Sequence, residues 1–423
     1  MATIAATDQN GIRHAEDISV ARRCGAFAFL AMAYFLYAWS WNSVDTLRPY
    51  IAESLGLSIP QAGSLYSVQA LGAVAGAMIN SQLADRFGRR RALMAVMIGF
   101  GLSLFMGAFV TSYWQVLLQR TALGYFTGSM YPVAVGIYSA LFSKHVRSRI
   151  ASIIIGSAWL ASATLGFVAA AVFRAGIDWK VLLWVGLIPV ALALTAPLFV
   201  PDDRKIIPYG ESSLALVAKG HLPIAELFAP NVRRQTILLA TLVGFNHFAY
   251  QAFSGWASTY LKADRAFSDS DTTMIVGWMS AGSFIGGFFW GWIGDRYGRR
   301  MGAFGFILTS VLILVFLYIP LAPTGQSVVA VLYGMMLGCS VVWGPWLAEL
   351  YPSHLRSTAA SIFHWGRLLS FMAPLATGFM SERVGLAASM TTGSILFFVA
   401  ALIWFALPET LSFGDEKSEK QAA

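Results

Sequence analysis

The chain has 423 residues, of which 57% are hydrophobic and 12% charged, and its mean hydropathy is +0.63. Soluble domains carry about 25% charged residues, so the composition excludes a soluble protein and defines a membrane protein. The net charge of +8 suggests nucleic acid only until the basic residues are placed along the chain.

Residues 1–24 contain Asp8, Arg13, His14, Glu16, Asp17, Arg22 and Arg23 without an apolar core, so they read as a polar tail and not as a cleavable signal peptide. About 20 helical residues cross ~30 Å of hydrocarbon. Apolar runs of that length predict twelve spans near 25–51, 61–83, 93–111, 114–141, 150–173, 180–200, 234–260, 272–294, 302–320, 327–349, 357–380 and 386–407. The expected organisation is a tail (1–24), a first six-helix half (25–200), a polar linker (201–233), a second half (234–407) and a second tail (408–423). Of the 29 Lys and Arg residues, 21 fall in the two tails and in alternate loops, five (Arg174, Lys180, Lys262, Arg265, Arg383) on the opposite side, and three (Arg48, Arg120, Arg367) within spans. This asymmetry predicts cytoplasmic termini in a multi-pass protein of the cell (inner) membrane, and it leaves no basic patch for nucleic acid. Cys24 and Cys339 are too far apart to suggest a disulfide framework or a metal site and read as small apolar fillers.

The two halves repeat. Residues 62–90, ending "QLADRFGRR", align without a gap on 272–300, ending "GWIGDRYGRR", and "LFSKHVRSRIASI" (141–153) aligns on "LYPSHLRSTAASI" (350–362). The alignments place Gly72 and Gly76 on Gly282 and Gly286, small-xxx-small pairs suited to close helix approach; they read as ordinary helix packing, the alternative being the interface between the halves. Transporters built from such repeats hold their ligand near the bilayer midplane between the halves.

The twice-repeated Asp-Arg-aromatic-Gly-Arg-Arg turn resembles the signature loop of the major facilitator superfamily. The resemblance implies twelve helices in two pseudo-symmetric bundles that alternate between inward and outward openings. It also implies a gating role on the cytoplasmic side for Asp85, Arg86, Arg89, Asp295, Arg296 and Arg299, with Glu349 and Arg147 as partners. Ser81 departs from the pattern, standing where Gly291 stands in the second half. "QRTALGYFTGSMYP", "LAELYPSHLRSTAASIFHWGRLLSFMAP" and "LPET" further resemble the metabolite:proton symporter branch, its sialate, monocarboxylate and aromatic-acid members. In that branch Arg120 and Gly124 match an Arg-x-x-x-Gly element of the fourth span. Phe363 to Arg367 match an aromatic-Asn-x-Gly-Arg run, with His364 in place of the amide. Tyr37, Ser40 and Met130 stand where those relatives tend to carry acids, which leaves Asp45 as the acid of the first span.

A charge at the bilayer centre costs about 2.5–3.5 kcal/mol even on the lenient insertion scale, which makes each buried ionisable group a functional candidate. Arg367 offers a planar fork that grips a carboxylate, the alternative being a structural pair. His364, three residues earlier on nearly the same helix face, either orients the ligand, carries a proton or packs. Asn42, Gln251 and Arg120 complete the expected substrate set; His247 reads as packing. Asp45 either carries the proton or pairs permanently with Arg48, three positions on. Among the aromatic residues Trp39, Trp41, Tyr131, Trp278 and Trp343 either line a cavity or belong to the interfacial belt.

An enzyme is not expected: the polar segments are too short for a catalytic domain, and nothing in the sequence implies a cofactor or metal, only a proton gradient as energy source. The reading is a secondary transporter that imports a small organic anion with H+ and is complete as a monomer in the lipid bilayer. The alternatives are a uniporter or exchanger, a non-transporting receptor and proton-antiport efflux; the last is disfavoured because the fifth span lacks the Gly-Pro element common in the superfamily's antiporters.

Overall fold

The computed structural model describes residues 13–207, 225–351, 355, 359, 362, 366 and 369–410. The chain divides into two compact units, Met1–Gly220 and His221–Ala423.

In the first unit, α1 (Val20–Leu55) starts at Ser19, whose hydroxyl accepts the Arg22 N–H, and stops at Gly56, which takes the left-handed conformation that glycine adopts without steric cost. A capping box of Ser58 and Gln61 opens α2 (Ile59–Phe87), satisfying two backbone groups that the first helical turn leaves open. There follow α3 (Arg89–Met106), α4 (Tyr113–Gly128), α5 (Met130–Leu141), α6 (Lys144–Arg174), the single turn α7 (Val181–Trp184) and α8 (Leu187–Phe199). The second unit contains α9 (Arg233–Phe253), α10 (Ala257–Ala263), α11 (Asp269–Tyr297), α12 (Gly302–Tyr318), α13 (Pro323–Leu337) and α14 (Trp343–Leu350). It ends in α15 (Met372–Val384) and α16 (Leu386–Ala406).

Among the described residues, nine helical segments are long and apolar enough to cross a membrane. The predicted fourth and seventh spans are not among them: the fourth is divided at Ser129 into two shorter helices, and the seventh, which passes through a tight turn at Ser254–Trp256, carries Asn246, His247, Tyr250 and Gln251, which lower its hydropathy. The predicted eleventh lies partly outside the described residues. The all-helical expectation has one small departure, a parallel pair of two-residue strands, Arg13–His14 and Ile206–Ile207, which ties the N-terminal tail to the segment after α8.

Glycine sets the closest helix contacts, and it does so inside each unit. A Cβ at Gly76 would overlap the Tyr125 carbonyl of α4, and one at Gly124 the Gln69 carbonyl of α2; Gly286 and Gly334 make the same approach between α11 and α13. Gly72, Gly76, Gly282 and Gly286 therefore follow the ordinary-packing reading. Each finds its backbone neighbour in its own half, and this accounts for Gly124 of the Arg-x-x-x-Gly element. Cys339 is buried against Gly305, whereas Cys24 is exposed on the first turns of α1, so only Cys339 acts as an apolar filler.

Candidate substrate and coupling site

The first unit buries a cluster of charge seven residues from the Leu55 end of α1. Asp45 and Arg48 lie one turn apart, which brings them onto one helix face, and Arg48 Nη2 donates to Asp45 Oδ1 at 2.9 Å. Arg48 is 0% and Asp45 7% exposed. Pro49 follows. Lacking an N–H, it leaves the backbone carbonyl of Asp45, four residues back, without its helical donor. From α4 comes Arg120, 1% exposed, with Nη1 donating to Ser43 Oγ at 2.9 Å; Ser43 in turn donates to the Ser40 carbonyl at 2.7 Å. Of the two guanidinium groups in this cluster, Arg48 holds the carboxylate and Arg120 a hydroxyl. This arrangement favours an added negative charge, because taking an ion out of water costs several kcal/mol that only a partner offsets.

The other sequence-derived candidates fall as follows. Asn42 donates its amide to the Ala38 carbonyl of its own helix at 2.8 Å, which leaves its side-chain oxygen as the group available to a ligand. Gln251 on α9 is 2% exposed. His247 bonds the Val243 carbonyl through Nδ1 at 2.9 Å, and Gly366 packs so closely against it that a Cβ there would stand 2.9 Å from Nδ1. His364 and Arg367, like Phe363 and Trp365, lie outside the described residues. Among the aromatic candidates, Trp39 donates to the Leu182 carbonyl at 3.3 Å inside the first unit. Trp343 packs against Phe306 and Trp404, and Trp278 is exposed.

The signature loops are built alike. Gly88 and Gly298 both take positive φ, 95° and 104°, and release the chain into the next helical turn. An acid then caps that turn. Asp203 accepts from the Arg89 N–H at 2.9 Å and Glu409 from the Arg299 N–H at 2.9 Å; carboxylates suit such exposed N–H groups. The side chains differ between the halves. Arg299 pairs with Glu349 at 2.7 Å and with Asp295 at 2.6 Å, and the Thr410 hydroxyl donates to Glu349. Arg89 donates to the Gly136 carbonyl at 2.9 Å, and the repeat puts Ala140 where Glu349 stands. Arg147 donates to the Phe142 carbonyl at 2.8 Å. Arg86 and Arg296 lie over the rings of Phe87 and Trp292; the Asp85 side chain is not described.

Sequence reasoning missed Asp203 and Glu409, although "PDD" and "PET" follow the two loops at similar distances, with Asp203 114 residues after Arg89 and Glu409 110 after Arg299. It also missed Ser43, whose partner Arg120 lies 77 residues away.

Two helical units, repeated signature loops and buried guanidinium groups define a membrane transporter and not an enzyme. The profile of the Major Facilitator Superfamily matches residues 30–371 and 239–422, and the chain belongs to that family. It is 24% identical over 398 residues to the cis,cis-muconate transport protein of Acinetobacter baylyi, covering 89% of this chain and 92% of that one. To the probable 4-methylmuconolactone transporter of Cupriavidus pinatubonensis it is 26% identical over 390 residues, covering 89% and 90%. Its fold resembles that of a bacterial homologue of the human lysosomal transporter Spinster, with a TM-score of 0.73 and 17% identity over 92% of this chain and 97% of that one.

Proposed function

We propose that the protein imports a small organic acid with protons by alternating access, as a monomer in the inner membrane with both termini cytoplasmic. The observation that carries this reading is the buried Asp45–Arg48–Arg120 cluster, in which one titratable carboxylate stands against two permanent cations. The names of the relatives, transporters of muconate and of a methylmuconolactone, point to unsaturated or ring-derived carboxylates.

Arg367 holds the carboxylate through two parallel hydrogen bonds, and His364, Asn42 and Gln251 orient it, with Arg120 adding to the positive field. A proton taken up by Asp45 removes the charge that holds Arg48. In a low-dielectric setting the guanidinium then gains most from an incoming anion, so proton and substrate bind more tightly together than apart. His364 is the second candidate for the proton. Charge pairing at Asp295, Arg299 and Glu349, with Arg86, Arg89, Arg147, Asp85 and Arg296 at the same end of the helices, forms the cytoplasmic gate.

The test is uptake of labelled cis,cis-muconate and of aromatic monocarboxylates by cells expressing the Arg367→Lys variant. Lysine keeps the charge and loses the fork. The expected result is an apparent KM raised by about 10- to 100-fold, the equivalent of a charge-assisted hydrogen bond, at normal membrane abundance. Unchanged uptake would remove Arg367 from the site, and net export of the acids would replace import by efflux.

A further inference from the structure

Apart from its contact with Ser43, Arg120 also lines a small recess. At the Leu55 end of α1, the end that loop charge assigns to the outside, a recess opens among Ile51, Ser54, Val116, Gln119, Arg120 and Lys180. Arg120 lines it while 1% exposed, and its Nε has no hydrogen-bond partner among the described residues. The charged groups that act on Arg120 are Asp45 and Arg48; the carboxylate of Asp45 is in ion-pair contact with Arg48, and among the described residues Arg120 has no ion pair of its own. A second cation, Lys180, stands at the rim. Arg120 lies seven residues into α4, about 10 Å along the helix, a depth at which an uncompensated guanidinium is costly.

We propose that this recess binds a halide-sized inorganic anion against Arg120 Nε, as a site separate from the substrate's. The site goes beyond the transport reading and does not depend on it. Size favours the ligand class: the recess leaves about 10 Å³ for the centre of a water-sized sphere, which suits a single small ion. Charge selects an anion over water, because a water molecule satisfies the Nε–H but leaves the guanidinium without a counter-charge. Gln119 donates its amide nitrogen to the Ser103 carbonyl at 2.7 Å. Its oxygen, also without a partner, accepts from a water that hydrates the ion. Ser54 is spent on the Ile51 carbonyl at 3.0 Å. Lys180, at the mouth, raises the local anion concentration.

The experiment is thermal unfolding of the purified full chain in detergent, titrated with sodium chloride or bromide against sodium gluconate at constant ionic strength. The expected result is a saturable rise in midpoint with either halide and none with gluconate. In Lys180→Gln the half-saturating concentration should rise about two- to five-fold, the value of one exposed charge contact. In Gln119→Glu a carboxylate supplied by the chain should occupy the anion's place and abolish the halide effect, whatever the variant's own midpoint. Equal midpoints in halide and gluconate would overturn the site and leave water as its occupant. A halide effect that persists unchanged in Gln119→Glu would place the anion elsewhere and overturn it equally. Neither reading involves transport, so a failure of the carboxylate assignment leaves the test intact.

Discussion

Asp45 stands three residues before Arg48 and accepts from its guanidinium at 2.9 Å, a contact that is strongest with the carboxylate ionised. Replacing it by Asn leaves Arg48 buried beside a neutral group, a change that costs about 3–5 kcal/mol in buried pairs; Asp45→Asn should lower the thermal midpoint in detergent. If Asp45 carries the proton, the same variant should lose uphill accumulation yet still exchange external for internal substrate, a separation that counterflow measures. Loss of exchange as well would mean that Asp45 only holds Arg48 in place. A double variant, Asp45→Leu with Arg48→Met, should recover much of the stability, because removing both charges also removes both desolvation costs. The Asp45–Arg48 pair was legible in the sequence, since helical spacing alone brings such residues together. The contact of Arg120 with Ser43 was not, because nothing local links α4 to α1, and the substrate end of the eleventh span at His364 and Arg367 rests on the sequence alone.

The helices themselves were mostly readable, because runs of about 20 apolar residues have few other uses. The breaks at Ser129 and Ser254–Trp256 were hidden, since the apolar pattern continues across them. The glycines were visible as close-packing positions, but their partner helix was not, and only the structure assigns them to α2–α4 and α11–α13. Gly76→Leu should therefore prevent stable folding and strongly reduce membrane abundance, whereas Gly287→Ala, where a Cβ would meet nothing within 4 Å, should leave abundance unchanged. Fluorescence from a C-terminal fusion reads both. Glu409→Ala should cost about 1 kcal/mol as a lost cap, and Asp203→Ala a similar amount in the other half. On the loop after α10, burial holds the Asp264 carboxyl above its ordinary value of 3.8, against a hydrogen bond from the Ala387 N–H. A raised folded-state value means stability present below the ordinary carboxylate range and lost as pH rises through the folded value. Asp264→Asn should then melt slightly higher than the parent chain at pH 7, with the difference closing near pH 3.8.

Across the whole molecule the duplication explains more than either half does alone. Both halves use a glycine with positive φ and a later acid to shape the signature loop. In the second, Glu349 and Asp295 pair with Arg299; in the first, Arg89 donates to the Gly136 carbonyl. Neutralising Glu349 should therefore weaken the proposed cytoplasmic gate, and Glu349→Gln should lower the labelling of cysteines introduced on the outer side and raise it on the cytoplasmic side if the gate closes by this pairing. The central claim is proton-coupled entry of a carboxylate, and its most direct measurement is external pH in de-energised cells after adding a carboxylate panel, with an empty-vector control. The expected result is alkalinisation with at least one compound, abolished by a protonophore and absent in Asp45→Asn or in a His364 variant. Labelled uptake without any pH change would contradict it and make the protein a uniporter or an exchanger.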